Sequence, residues 1–158
     1  MPNIVPIADL SPEDRFAIVV SSWNKSITSK LLDGAIEGLV AKGVAESAID
    51  VAWVPGSWEL PVVTEKFAQS RQYEAVLALG AVIRGETSHD QHINRAVSGN
   101  LSDIGVRTGV PVLFGLLTCE TMEQAVHRSG GNVGNKGTEC AVAAIHMAGL
   151  LKNLPAIP

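Results

Sequence analysis

The stretch V-L-A-L-G-A-V-I-R-G-E-T-S-H, Val76 to His89, decides how this chain is read. Its first eight residues, Val76 to Ile83, form a continuous apolar run. A run of that length with no alternating polar positions reads as a strand covered on both faces. Arg84-Gly85 breaks it, and Glu86, Thr87, Ser88 and His89 then stand at the expected start of a helix running to about Arg107. A strand that ends in a polar turn and enters a helix presents unpaired amide N–H groups, where the helix dipole favours anions. A histidine beside that turn can move protons. Together they point to a phosphorylated small molecule undergoing acid/base chemistry.

The same rhythm extends in both directions. Phe16 to Val20 reads as a first buried strand, followed by a helix capped by Ser26 that runs to about Ala41 and stops at Gly43. Ile49 to Val54 is a second strand, halted by Pro55-Gly56, with Ser57 as the expected cap of a helix from Trp58 to Gln69. Pro61 is tolerable there because it falls in the first turn. Val112 to Thr118 is a fourth strand. Thr121 caps a short helix to about Arg128, Ser129 to Asn135 is a loop, and a last helix runs from about Gly137 to Lys152. Strands alternating with helices predict an α/β, single-domain, three-layer sandwich: a four-stranded parallel sheet flanked by helices, flavodoxin-like in architecture. Ligands in such folds sit outside the carboxyl ends of the strands. Here those ends are Ser21 to Lys25, Pro55 to Glu59, Ile83 to Thr87 and the region after Phe114.

Composition narrows the partners. The 158 residues suffice for one domain with a proper core. Only 18% are charged against 46% hydrophobic, so part of the apolar surface is expected to lie in a subunit interface. The last helix, apolar nearly all round, is expected to be buried on every side, partly by another copy. A net charge of −4 without a basic cluster argues against nucleic acid or an anionic membrane, and no apolar stretch reaches the roughly 18 residues of a spanning helix. Cys119 and Cys140 share no C-x-x-C spacing and read as buried, reduced thiols of a cytoplasmic protein.

Each candidate residue has a plainer alternative. Trp23, at the end of the first strand, could stack on a heterocycle or pack on the following helix. Glu59 could hold ligand hydroxyls or answer the helix dipole. Arg84, Arg128 and Lys136 are the cations to follow, although most such residues are solvated. The run R-S-G-G-N-V-G-N-K-G (128–137) is similar to a phosphate-cradling loop but fails the P-loop pattern, because Gly137 stands where Ser or Thr is required. His89 and His92 lack a third ligand at sensible spacing, so no metal is expected. His89 alone sits at the polar turn and is the candidate for proton transfer.

The segments S-S-W-N (21–24), V-P-G-S-W-E-L-P (54–61), G-A-V-I-R-G-E-T-S-H (80–89), P-V-L-F-G-L-L-T (111–118), E-Q-A-V-H-R (123–128) and G-N-K-G (134–137) resemble, in order and spacing, those of the 6,7-dimethyl-8-ribityllumazine synthase family of riboflavin biosynthesis. The resemblance implies condensation of 5-amino-6-(D-ribitylamino)uracil with 3,4-dihydroxy-2-butanone 4-phosphate, releasing phosphate and water, with no cofactor. It implies that Trp23 stacks on the pyrimidine, and that Ser57, Trp58 and Glu59 hold the ribityl-bearing substrate. The backbone of Ala81, Val82 and Ile83 reads the uracil edge, Glu86 and Thr87 form the phosphate turn, and His89 transfers protons. Phe114, Arg128 and Lys136 match positions supplied by a neighbouring subunit, with Arg128 closing on the phosphate.

The resemblance further implies residues 1–14 as an N-terminal arm on a domain of residues 15–158. It implies a homopentamer, packed in some members into a 60-subunit icosahedral shell, and riboflavin synthase as a candidate protein partner. Three positions depart from the family pattern: Trp23 where many relatives have Phe, Ser22 where Arg is common, and Asp90 where an aromatic usually follows the histidine. Two other readings compete with an enzyme: a flavin- or nucleotide-binding module without turnover, and a shell or carrier protein whose site has decayed.

Overall fold

Strand β1 (Phe16–Ser21) is buried at every residue and lies between β2 (Ile49–Val54) and β3 (Ala75–Ile83), with β4 (Val112–Cys119) outside β3. All three pairings are parallel, in the order β2-β1-β3-β4. The computed structural model describes residues 1–156; Ile157 and Pro158, the end of the expected domain, lie outside the described residues. Successive residues of a strand point to opposite faces, and the core divides accordingly. Phe16, Ile18, Val20, Leu77 and Leu79 belong to one buried cluster, while Ala17, Val19, Val76 and Ala78 belong to the other.

Helices α1 (Lys25–Ala41), α2 (Leu60–Gln69), α3 (His89–Thr108), α4 (Met122–Arg128) and α5 (Lys136–Lys152) complete the layers. Ile27, Leu31 and Leu39 of α1 and Ala141 and Ala144 of α5 pack on the first cluster. Leu60 and Ala68 of α2 and Val97, Leu101 and Ile104 of α3 pack on the second. The chain is therefore the expected three-layer α/β sandwich with a four-stranded parallel sheet.

Close contact between α1 and α5 depends on missing side chains. A Cβ on Gly38 would lie 2.8 Å from the Cβ of Ala141, and one on Gly137 would collide with the carbonyl of Leu31. The start of α5 is pinned by Asn135, whose Oδ1 accepts the N–H groups of Gly137 (2.8 Å) and Thr138 (3.2 Å). The same side chain donates through Nδ2 to the Lys30 carbonyl at 2.9 Å. One asparagine thus caps one helix and ties it to another.

Three local expectations need correction. Helix α1 starts at Lys25 after Asn24, not at a Ser26 cap, because the strand-to-helix turn needs a left-handed residue (φ 60°) and Asn tolerates that region. Ser57 does not cap the second helix. It lies inside a 3-10 turn (Ser57–Glu59) that starts after Gly56, and Glu59 takes the cap position of α2. The run Ser129 to Asn135 is not an irregular loop but an antiparallel pair, β5 (Ser129–Gly131) and β6 (Gly134–Asn135); Gly130 (φ 106°) and Gly134 (φ 80°) supply the positive φ it requires. In helix α5 Cys140, Ala141, Ala144 and Ala148 are buried within the chain, whereas Val142 and His146 are exposed, which leaves the face expected to meet another copy open.

The start of the chain lies along the end of α5. Ala8 N–H donates to the Gly149 carbonyl (3.0 Å) and Asn153 Nδ2 to the Pro6 carbonyl (2.8 Å). Buried Asp14 pairs with Lys152 at the end of the same helix. Among the described residues, no helix is long and apolar enough to cross a membrane.

Candidate active site

The sheet reverses its winding between β1 and β3, since β2 follows β1 on one side and β3 lies on the other. Such a switch point opens a crevice at the carboxyl ends of the strands. Pairing continues past the ends of β1 and β2: Ser22 N–H donates to the Val54 carbonyl (2.7 Å) and Trp23 N–H to the Pro55 carbonyl (3.0 Å). The indole is thereby held beside the Pro55-Gly56 turn. Asn24 then reaches across to β3, donating through Nδ2 to the Ala81 carbonyl at 2.9 Å. All three strand ends meet over Gly80. A Cβ there would stand 2.8 Å from Ser57 Oγ and 3.1 Å from Ser21 Oγ, so only glycine lets the two hydroxyls close on the backbone.

Above this floor lies a cleft of about 510 Å³. It brings together nine of the thirteen candidates: Trp23, Ser57, Trp58, Glu59, Ala81, Val82, Ile83, Thr87 and His89. Ser57, Ala81 and Val82 are buried, while His89, the first residue of α3, is exposed at the rim. Its N–H donates to Thr87 Oγ1 at 3.3 Å, tightening the turn into the helix. The indoles of Trp23 and Trp58 remain 73% and 60% exposed, so Trp23 is not packed away on α1. Two uncovered indoles facing one cleft are suited to holding a flat ring. Glu59 serves the local backbone with one oxygen, Oε2, which accepts the Gly56 N–H at 3.0 Å, and it also lines the cleft.

Four candidates lie elsewhere. Glu86 is exposed and does not line the cleft, although its neighbours Gly85 and Thr87 do. Phe114, on outer strand β4, is 42% exposed and lines neither of the two clefts described here. Arg128 and Lys136 line a second cleft of about 260 Å³ with Thr118, Val133 and Glu139, and the two clefts share no residue. Of the three cations followed from the sequence, Arg84 pairs with Glu120 (3.1 Å) and Lys136 with Glu139 (3.3 Å). Arg128 only donates to the Gln124 carbonyl (3.3 Å) and has no carboxylate partner among the described residues. It is the cation available for a ligand anion.

Sequence reasoning passed over Asn24 and Ile93. Asn24 had a signal, an asparagine at a strand-to-helix junction, but its acceptor lies 57 residues away. Ile93 lines the cleft one helical turn beyond His89, with only its spacing as a clue. Both cysteines are buried free thiols. Burial pushes Cys140 up to about 11 and raises Cys119 as well, with Arg128 opposing the rise at Cys119, so neither supplies a thiolate near neutral pH. Among the described residues no three His, Cys, Asp or Glu side chains group to hold a metal ion.

The family model for 6,7-dimethyl-8-ribityllumazine synthase matches residues 13–152. A 6,7-dimethyl-8-ribityllumazine synthase from Desulfotalea psychrophila is 48% identical over 154 residues, covering 98% of this chain and 99% of that protein.

Proposed function

Since the chain belongs to the 6,7-dimethyl-8-ribityllumazine synthase family, we propose that the cleft over Gly80 is where it carries out the family's condensation. The enzyme joins 5-amino-6-(D-ribitylamino)uracil to 3,4-dihydroxy-2-butanone 4-phosphate and releases 6,7-dimethyl-8-ribityllumazine, phosphate and water. The observation that carries the assignment of the site is the convergence, at the sheet's switch point, of an uncovered indole, a carboxylate, the carboxyl end of β3 and His89.

Trp23 stacks on the pyrimidine, the backbone of Ala81 to Ile83 meets the uracil edge, and Glu59, with Ser57 and Trp58, holds the ribityl chain. The amine attacks the ketone carbon, and loss of water gives the imine. Phosphate then leaves, and ring closure with loss of a second water yields the lumazine. His89 moves the protons these steps require. Glu86 and Thr87 form the turn that receives the phosphate, with the positive end of the α3 dipole behind them. Holding both substrates in one cleft accounts for much of the acceleration, since proximity alone can contribute about 7–11 kcal/mol.

Arg128, Lys136 and Phe114 act in this scheme from a neighbouring copy. Their separation from the His89 cleft within one chain supports an assembly in which two copies complete each site, and the exposed Phe114, Val126, Val133 and Val142 offer apolar surface for it. A pentamer is the assembly we propose, with the 60-subunit shell as its larger form. Cytoplasmic location, riboflavin synthase as partner, and an arm of residues 1–14 on a domain of 15–158 follow from the resemblance; the contacts of residues 6–8 with α5 support the arm.

Mixing the two substrates with the protein, and recording lumazine absorbance and released phosphate together, tests this function. Equal amounts of both products are expected, and ligand binding without turnover would favour the competing binding-module reading. Replacing His89 by alanine is expected to lower kcat about 10²-fold with residual turnover and with KM for both substrates little changed. If that variant instead fails to bind substrate, His89 is a binding group and not a proton carrier.

A further inference from the structure

Asn24 directs its side chain away from the helix it precedes. An asparagine in that position ordinarily turns its side-chain oxygen to the first N–H groups of the helix, but here it makes no such bond. Only its backbone carbonyl serves α1, accepting the N–H groups of Ile27 (2.9 Å) and Thr28 (3.0 Å). The left-handed turn (φ 60°) needs no amide either, since glycine adopts that region freely. The amide goes instead to the carbonyl of Ala81, a residue that lines the cleft 57 positions along the chain. Pairing of β3 with β1 ends at Leu79, whereas pairing with β4 continues to Ile83. Past Leu79 it is thus the Asn24 amide, rather than a further strand pair, that meets β3 at Ala81.

This bond joins two parts of the site. The residue before Asn24 is Trp23, whose indole stands uncovered at the cleft, and Ala81 begins the stretch of β3 that lines it. A flat ring held by both needs the indole plane and the strand end at one fixed spacing, because a shift of either weakens the contact at the other. The bond also aims the carbonyl. A carbonyl oxygen has two lone pairs, and with one held by Asn24 the other keeps a set direction. Taking the site as read above, the pyrimidinedione edge offers an N–H between two carbonyls, and that N–H is the partner for the remaining lone pair. We propose that Asn24 is a positioning residue for the aminouracil, locking the Trp23 turn to the end of β3 so that ring face and ring edge are met together. No hydrogen bond among the described residues links Asn24 to Thr87, His89 or Arg128, so its effect falls on the ring-bearing substrate.

The test rests on the condensation being the reaction and uses two variants that tolerate the left-handed turn. Asn24→Gly removes the amide, and Asn24→Asp sets a carboxylate against the Ala81 carbonyl. KM for 5-amino-6-(D-ribitylamino)uracil is expected to rise about 5–10-fold in Asn24→Gly and about 10–100-fold in Asn24→Asp. Kd for 6,7-dimethyl-8-ribityllumazine, measured by titration, should rise in parallel, because the product keeps the same ring edge. KM for the ketone phosphate, and kcat at saturating aminouracil, should stay within about twofold, a split that general loosening of the fold would not produce. An unchanged KM for the aminouracil in either variant overturns the proposal, and so does an equal rise in KM for the ketone phosphate. Absence of turnover in the unaltered protein would instead overturn the proposed reaction.

Discussion

Replacing Arg128 by alanine is expected to lower kcat/KM for lumazine formation about 10²–10³-fold, the loss typical of removing one group that stabilises a developing anion. The guanidinium is exposed and has no carboxylate to answer among the described residues, whereas Arg84 and Lys136 are each paired. Its charge is therefore uncommitted until an anion arrives, and the departing phosphate is that anion in the proposed reaction. The loss should fall on steps involving the ketone phosphate, while binding of the aminouracil remains near that of the unaltered protein. Arg128→Lys should recover only part of the activity, because a point charge does not reproduce two parallel N–H donors. Steady-state kinetics with each substrate varied in turn measure this. An Arg128→Ala enzyme with unchanged kcat/KM would remove the guanidinium from the mechanism.

The largest expected effect on stability comes from a single methyl group. In Gly137→Ala the new Cβ would occupy the position of the Leu31 carbonyl, and that atom is backbone and cannot swing aside. Helix α5 would have to lift from α1, disturbing the packing of Leu31, Ala35, Ala141 and Ala144 and the Asn135 cap. A loss of about 3–5 kcal/mol is expected, seen as a fall in Tm of about 10 °C or more. Gly99→Ala is the control. Gly99 sits in α3 with nothing within 4 Å of its added Cβ, so the change should be neutral or raise stability by up to about 1 kcal/mol. Thermal unfolding that left Gly137→Ala indistinguishable from Gly99→Ala would mean the two helices are less closely packed than described.

The sheet was legible because its strands are apolar enough to be covered on both faces, and continuous runs such as Val76 to Ile83 have few other uses. Helix starts were less so. Ser26 has the right chemistry for a cap, but a left-handed turn and the distant Ala81 carbonyl make Asn24 the better fit, and neither is visible locally. Ser57 misled in the same way, because the turn after Pro55 tightens into a 3-10 geometry and buries the hydroxyl against Gly80. Glycines between 130 and 137 marked a turn without revealing that it pairs with itself. At the site, polar and aromatic residues at strand ends stand out from their surroundings, and nine candidates gathered in one cleft. Which cation is unpaired depends on partners far along the chain. Only the family resemblance therefore set Arg128 apart from Arg84.

At the centre of the account is a site built by two copies, one bringing His89 and the next Arg128. Assembling His89→Ala and Arg128→Ala chains together in equal amounts tests it most directly. Each variant alone leaves every site defective, but a randomly mixed ring contains sites with His89 intact on one copy and Arg128 intact on the next. Lumazine formation should then return to about a quarter of the unaltered rate, the random-mixing fraction for two independent positions. Activity that stays at the mean of the two separate variants would contradict a shared site.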